Sequence, residues 1–481
     1  MHVRRNVADL DPQAIASLRK GVATMKDTSL FPQSDPRSWR FQANIHGTSD
    51  TPAHATWNKC QHGSFFFFSW HRMYLYWFER ILRAASGDPN LALPYWKWTD
   101  QRRLPRPFRE PADPATNPLY TSQRAPLLND GSRQLRSSTV STTKSMDFPN
   151  FSSPPGDDQS FGGQRVTGPA HDTGPHGQLE RQPHDGIHDA VEGLMGVPAT
   201  SARDPIFWLH HAMIDRLWNR WVRRSSSQGN PVGNSVWMDT QFTFFNANGT
   251  QVSMRGREVL DTANQLDYRY DDDPAGSAVR VPFFFPESEL AAAQSNSGDD
   301  DRIERTLLGE SAVGGEGMLE LGAAPKRVPL QLTDQATERV AAVAQADAVP
   351  LEERIVLNVE GVQYYDQNPG VAYEVYLNLP EDQEPDFRSD YYVGNLGFFG
   401  TGTHDPEAGG HGGHPVDQSF DLTDVVRALR ERGEWREGEA TVSFVMRGLE
   451  PSEQGAEGFA EQEEEPPGHP RVERVTITTR G

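Results

Sequence analysis

The sequence predicts an α+β protein, with a mainly helical first part followed by a C-terminal β-sandwich domain. Three observations carry this expectation. Residues 65–85 and 204–223 hold aromatic and aliphatic side chains at helical spacing. After residue 350 the pattern turns to alternation, and 354–359, 372–377, 440–446 and 474–479 read as half-buried strands. Between the two parts, 291–348 is polar and carries the Gly-rich run 314–317, which reads as a flexible linker. The predicted organisation is therefore a first domain over 1–290, a linker over 291–348 and a second domain over 349–481. A length of 481 residues suits two or three domains.

Along the chain, Asp11-Pro12 opens a helix through Lys26 that places Ile15, Leu18, Val22 and Met25 on one side. The helix over 65–85 is stopped by Ser86-Gly87-Asp88-Pro89. Residues 100–175 are rich in Pro, Gly, Ser and Asp and lack periodicity, so they form a long loop region of the kind that often carries function. Asp204-Pro205 supplies an N-cap and an N1 proline for the next helix, and 225–234 break it. Residues 235–285 read as irregular structure with short strands, and a short helix is expected near 335–347.

Composition removes several function classes. Lys and Arg number 46 against 67 Asp and Glu, a formal charge of −21, so the chain lacks the basic footprint of a nucleic-acid binder. No run approaches the ~18 apolar residues of a membrane span. One cysteine, Cys60, rules out an intrachain disulfide framework. The first ten residues contain Arg4 and Arg5 but no apolar stretch, which predicts a chain without a visible signal peptide, cytoplasmic or exported after its removal.

Histidine distribution is the strongest signal. Eight of 15 histidines fall in 46–71 and 171–188, and two more at 210–211. His184 and His188 are spaced i, i+4, so one helix can offer both rings to one metal. A third ring comes from His210 or His211, since neighbours point ~100° apart. Asp215, four residues after His211, can accept its spare ring N–H, so His211 is the expected ligand and His210 packs beside it. In the first cluster His62 precedes a helix, His71 lies inside it, and His46 supplies the third ring. Six neutral nitrogens without carboxylates suit Cu, Zn, Fe or Ni. Two three-histidine halves favour a coupled copper pair able to bind O2. His54, His171 and His176 read as loop or structural residues. His404, His411 and His414 sit in a Gly-rich loop with incidental metal affinity.

Cys60-Gln61-His62 with Trp70-His71-Arg72, then 180–188 and 204–218, resemble the two copper motifs of tyrosinases and polyphenol oxidases. Weaker likeness extends over 350–481 to the C-terminal domain of plant-type members. The resemblance implies a four-helix-bundle dicopper domain, one copper held by His46, His62 and His71 and the other by His184, His188 and His211. It implies a thioether from Cys60 to the second ligand, a water ordered by Glu180, and a substrate-facing role for Asp185, where monophenol hydroxylases often carry Asn. It implies oxidation of phenolic small molecules with O2, with a reversible O2 carrier as the alternative. Asp185 and Asp189 at the mouth predict a preference for neutral or cationic phenols. A plug from Tyr391-Tyr392 or Phe398-Phe399 is the expected latch of a lid domain.

Overall fold

The computed structural model describes residues 1–171, 174–274, 305–311, 318–346, 349, 353–403, 414–452 and 464–480. His404 and His411 lie outside them, as do 291–304 of the expected linker. The first part is helical: α1 (Pro12–Lys26), α2 (Trp39–His46), α3 (Phe67–Ser86), the short α4 (Gly186–Val191) and α5 (Pro205–Trp221). Their starts follow the sequence signals. Asp11 accepts the Ala14 amide, Ser38 that of Phe41 and Asp204 that of Ile206. α3 ends at Gly87 in a left-handed conformation (φ 70°), which glycine adopts without a Cβ penalty. α5 is buried around nearly its whole circumference, so it is the central element of this part rather than a surface helix.

A buried ionic knot behind α5 ties the chain's start to its middle. Asp215 accepts from Arg72 Nε (2.5 Å), Arg4 Nη1 (3.2 Å), Tyr268 Oη (2.6 Å) and Tyr270 Oη (2.5 Å), while Arg4 Nε also reaches Glu79 (2.8 Å). Burial opposes the charge on Asp215, but Arg72, Arg4 and the two hydroxyls outweigh it and hold its pKa below the usual carboxylate value. Removing one member of such a group leaves buried charges uncompensated. Asp215→Asn is expected to cost about 3–5 kcal/mol in denaturant unfolding; a loss below about 1 kcal/mol, the scale of an exposed pair, would show the knot to be dispensable.

Among the described residues the second part is built on one eight-stranded antiparallel sheet, not a sandwich. Its strands are β1 (Arg305–Ser311), β2 (Lys326–Leu332), β3 (Ile355–Val362), β4 (Ala372–Leu377), β5 (Tyr392–Leu396), β6 (Val416–Asp421), β7 (Glu439–Arg447) and β8 (Arg474–Arg480). Their order is β5-β4-β7-β2-β1-β8-β3-β6. The sheet curls so that its two edges approach, and Gln418 of β6 bonds both backbone groups of Gly397, just after β5. Helices α6 (Asp334–Gln345) and α7 (Thr423–Glu431) accompany it.

The expected linker is therefore corrected. Residues 305–311 and 326–332 are central strands, paired with each other and with β8 and β7 respectively, and the predicted helix near 335–347 is α6. No helix among the described residues is long and apolar enough to cross a membrane.

Candidate metal centre

Two histidine clusters meet in the helical part. Ligand-capable nitrogens of His46, His62 and His71 lie within 4.8 Å of one another, and so do those of His184, His188, His210 and His211. The clusters touch: the His71 and His211 rings stack at 4.4 Å between centroids, and His62 stands 5.7 Å from His184. His46 ends α2, His62 lies on the loop before α3, and His71 lies within α3. His184 sits in the irregular turn Glu180–Asp185 that leads into α4, His188 in α4, and His210 and His211 in α5. All seven rings are at most 3 % exposed.

The donor set fits a metal pair. On five rings Nδ1 bonds to the protein: His46 to Pro198 O (3.1 Å), His71 to Phe67 O (2.8 Å), His188 to Met195 O (2.7 Å), His62 to Glu180 (2.8 Å) and His184 to Asp185 (2.9 Å). Each bond fixes the tautomer that leaves Nε2 as a lone pair. The buried Nε2 atoms of His71, His184, His188 and His211 have no hydrogen-bond partner, an arrangement that is costly unless a cation uses them. Burial, followed by repulsion from neighbouring imidazoles, drives the His46, His62, His184 and His211 pKa values well below normal. Burial takes His71 and His188 down to about 3 against the opposing backbone hydrogen bonds to Phe67 and Met195, with repulsion from His188 adding to the effect on His71. The rings are thus neutral, as ligands must be.

Several expectations change here. Asp215 does not orient His211, because its carboxylate is consumed by Arg4, Arg72, Tyr268 and Tyr270. His210, expected to pack beside His211, also has its nitrogens within the second cluster. His176, read as a structural or loop residue, is indeed in irregular structure and 4 % exposed, and it lies between the two acids of the site. Its Nδ1 is 2.7 Å from Asp185 Oδ2 and its Nε2 3.9 Å from Glu180. Glu180 holds His62 and accepts the Gly63 amide (3.2 Å). Cys60 is fully buried with Sγ 3.1 Å from His171 Nδ1. No short-range sequence pattern marks His171 or His176, because their partners are far along the chain or on a different turn.

The C-terminal sheet reaches the centre through the segment after β5. The Phe399 ring stacks on His188 at 4.0 Å and 23°, and stands 5.6 Å from His184 and 5.9 Å from His62. Asp189 accepts the Phe398 amide (2.8 Å) and Asn368 Nδ2 (2.7 Å), and burial pushes its pKa up to about 7. A Cβ at Gly397 would stand 3.2 Å from Asp189 Oδ2, so glycine allows this close approach. Asp185 and Asp189 are thus covered rather than open at a mouth. Of the expected plugs, Phe398 packs into the sheet's own core, and Tyr391 and Tyr392 bond Glu434 and Asn395.

Residues 36–224 match the common central domain of tyrosinase, 232–277 the polyphenol oxidase middle domain, and 310–456 a domain of unknown function. A tyrosinase from Hahella sp. (strain CCB-MM4) is 29 % identical over 94 % of this chain and 97 % of its own. Polyphenol oxidase A1, chloroplastic, from Vicia faba is 28 % identical over 90 % and 73 %. The latent apple tyrosinase structure has the same fold, with a TM-score of 0.63 at 20 % identity over 100 % of this chain and 97 % of that one. With its paired histidine clusters, the chain carries the tyrosinase central domain over 36–224 and the polyphenol oxidase middle domain over 232–277, and it is a copper oxidoreductase of that kind.

Proposed function

We propose that this protein oxidises o-diphenols to o-quinones with O2, and that its C-terminal sheet covers the site until displaced. The observation that carries the reading is the meeting of two buried triads of neutral imidazoles, His46, His62, His71 and His184, His188, His211, in one apolar chamber. When bound there, a copper pair supplies O2 binding and two-electron redox chemistry. The four-helix frame is α2, α3, α4 and α5, which carry four of these six rings, His46, His71, His188 and His211, while His184 sits in the turn leading into α4 and His62 on the loop before α3.

The chain's own groups do the rest. Glu180 and Asp185 hold His62 and His184 so that Nε2 faces inward. As carboxylates beside the chamber they also stand ready to order water and take the phenolic proton. Phe65 to Phe68, Trp70, Phe207 and Trp208 exclude water. Phe399 occupies the place a phenol ring would take against His188, which explains how the covered state stays closed to substrate. Cys60 joins His62 through a thioether in the mature enzyme: the thiol hydrogen and one ring C–H hydrogen of His62 are lost as the C–S bond forms, and O2, the oxidant of the proposed reaction, takes the two electrons and two protons to become hydrogen peroxide. The O2-carrier alternative finds no support in the relatives, whose names are those of oxidases.

The test is metal analysis together with O2 uptake. The holoenzyme with its lid opened is expected to hold two copper ions per chain and to consume O2 with catechol. Tyramine should be turned over in preference to a phenolic carboxylic acid. Peptide mapping of the same sample should recover Cys60 and His62 cross-linked. Absence of catechol-dependent O2 uptake from copper-loaded, lid-free protein would overturn the reading; an unmodified Cys60 peptide would remove the thioether alone.

A further inference from the structure

Between the helical part and the sheet lies a second cavity, of about 30 Å³ and distinct from the histidine chamber. Its walls come from both parts: Lys144, Gln178 and Arg181 on one side, and Tyr392, Phe420 and Asp421 on the other. Arg181 is 5 % exposed. Its Nη2 donates to Gln178 Oε1 (2.6 Å) and its guanidinium stacks 4.0 Å from the Phe420 ring centre, but Nε and Nη1 have no hydrogen-bond partner. Among the described residues no carboxylate comes within ion-pairing distance of it. Lys144 is also without an acid; its ammonium donates to the carbonyls of Tyr392 (3.0 Å) and Val393 (2.6 Å).

The acids that act on this place from a distance are bonded elsewhere: Asp185 to His176 (2.7 Å) and His184 (2.9 Å), and Asp424 to Arg427 (3.2 Å). Asp421 is held by Arg354 (2.6 Å) and the Thr423 amide (2.8 Å). Asp158 accepts the Ser419 amide (2.9 Å), the Ser419 hydroxyl and Gln159 (2.8 Å). A buried guanidinium with free N–H groups is expensive, and the stacked phenylalanine compensates only part of the lost hydration. Burial accordingly pulls the Arg181 pKa below its usual value. Asp158 and Asp185 act on the guanidinium only from a distance, so its free N–H groups lack a bonded acceptor, and a cavity of this size admits one or two water-sized particles but no sulfate or phosphate.

We propose that this cavity is an anion site that takes one halide-sized monovalent anion, gripped by the free N–H groups of Arg181 with Lys144 beside it. Because its walls are shared by the two parts, the ion binds only when the sheet is docked. By linkage it stabilises the covered state. Arg181 is three residues from His184, so the ion also steadies the turn Glu180–Asp185 that carries three groups of the metal centre, Glu180, His184 and Asp185.

The test uses the intact holoenzyme. Chloride or bromide is expected to raise the unfolding midpoint saturably, on the order of 2 °C, relative to gluconate at equal ionic strength. Arg181→Met should abolish this response and Lys144→Met weaken it. Crystals grown with bromide should show its anomalous signal beside Arg181. Halide bound elsewhere, including at copper, is recognised because Arg181→Met leaves it unchanged. A halide response equal in wild type and Arg181→Met would overturn the proposal. So would a cavity holding only water in bromide, or a bromide peak with no change in midpoint, which would mark an adventitious ion only. Should Arg181→Met not fold, the bromide peak and saturation in the wild type decide.

Discussion

Phe399→Ala is expected to raise catechol turnover about 10- to 1000-fold while leaving the copper content of the chain unchanged. The range follows from the population of the open state: a lid held by a few kcal/mol is open 0.1–10 % of the time, and turnover is limited by that fraction. Phe399 lies flat on His188, yet it is held by the sheet and not by the helical part, so truncating it clears the site without removing a metal contact. Releasing the whole sheet should reach at least the same level. The place of the cut matters. Because 305–311 and 326–332 are central strands, cleavage after 318 would divide the sheet and leave β1 behind. A protease site engineered within 295–301 precedes the first strand and removes the lid intact. The docked state is held by polar contacts to the sheet's edges: Lys144 to the Tyr392 and Val393 carbonyls, Asp158 and Gln159 to Ser419, Gln182 to Asn395, and Asp189 to Phe398. Cleavage alone therefore need not release it, and activity should be read after separating the fragments. Unchanged turnover in both Phe399→Ala and the clean fragment would show that the sheet does not control access.

The helical part was legible because its signals are local. Asp204-Pro205 caps α5 as the sequence suggests, and His184 and His188 lie four residues apart at a turn that delivers both to one place. The sheet was harder to read. Strand β2 contains Pro329, a residue that argues against a central strand, yet it is paired on both sides, with β1 and β7. Strand β1 follows a polar run whose composition reads as flexible. Alternation announces strands but not their order, so a sheet arranged β5-β4-β7-β2-β1-β8-β3-β6 was invisible as such and read as a sandwich. The same limit applies to the site. Asp215 has the helical spacing of a partner for His211, but Tyr268 and Tyr270, more than fifty residues away, capture it. His176 gains its place only when the 100–175 loop region folds back over Glu180 and Asp185.

The remaining question at the centre is which of two adjacent rings completes the second triad, and substitution should separate them sharply. His211→Ala is expected to lose one of the two coppers and to lower O2 uptake to background. His210→Ala should keep both coppers and measurable uptake. The geometry supplies the reason. The His211 ring faces both clusters, 4.4 Å from His71, 5.0 Å from His184, 5.6 Å from His188 and 6.2 Å from His46. The His210 ring meets only its own cluster, 5.2 Å from His184 and 4.9 Å from His188, and its other ring neighbour is Trp98 at 6.2 Å. Two metals that share one O2 must lie close together, so a ligand at the seam between the triads serves the pair and one at its outer side does not. Both rings are buried and neither hydrogen-bonds to the protein, so folding alone does not distinguish them. Copper counting does. Loss of one copper from His210→Ala with both retained in His211→Ala would exchange their roles, and equal losses from both variants would establish a four-histidine half-site.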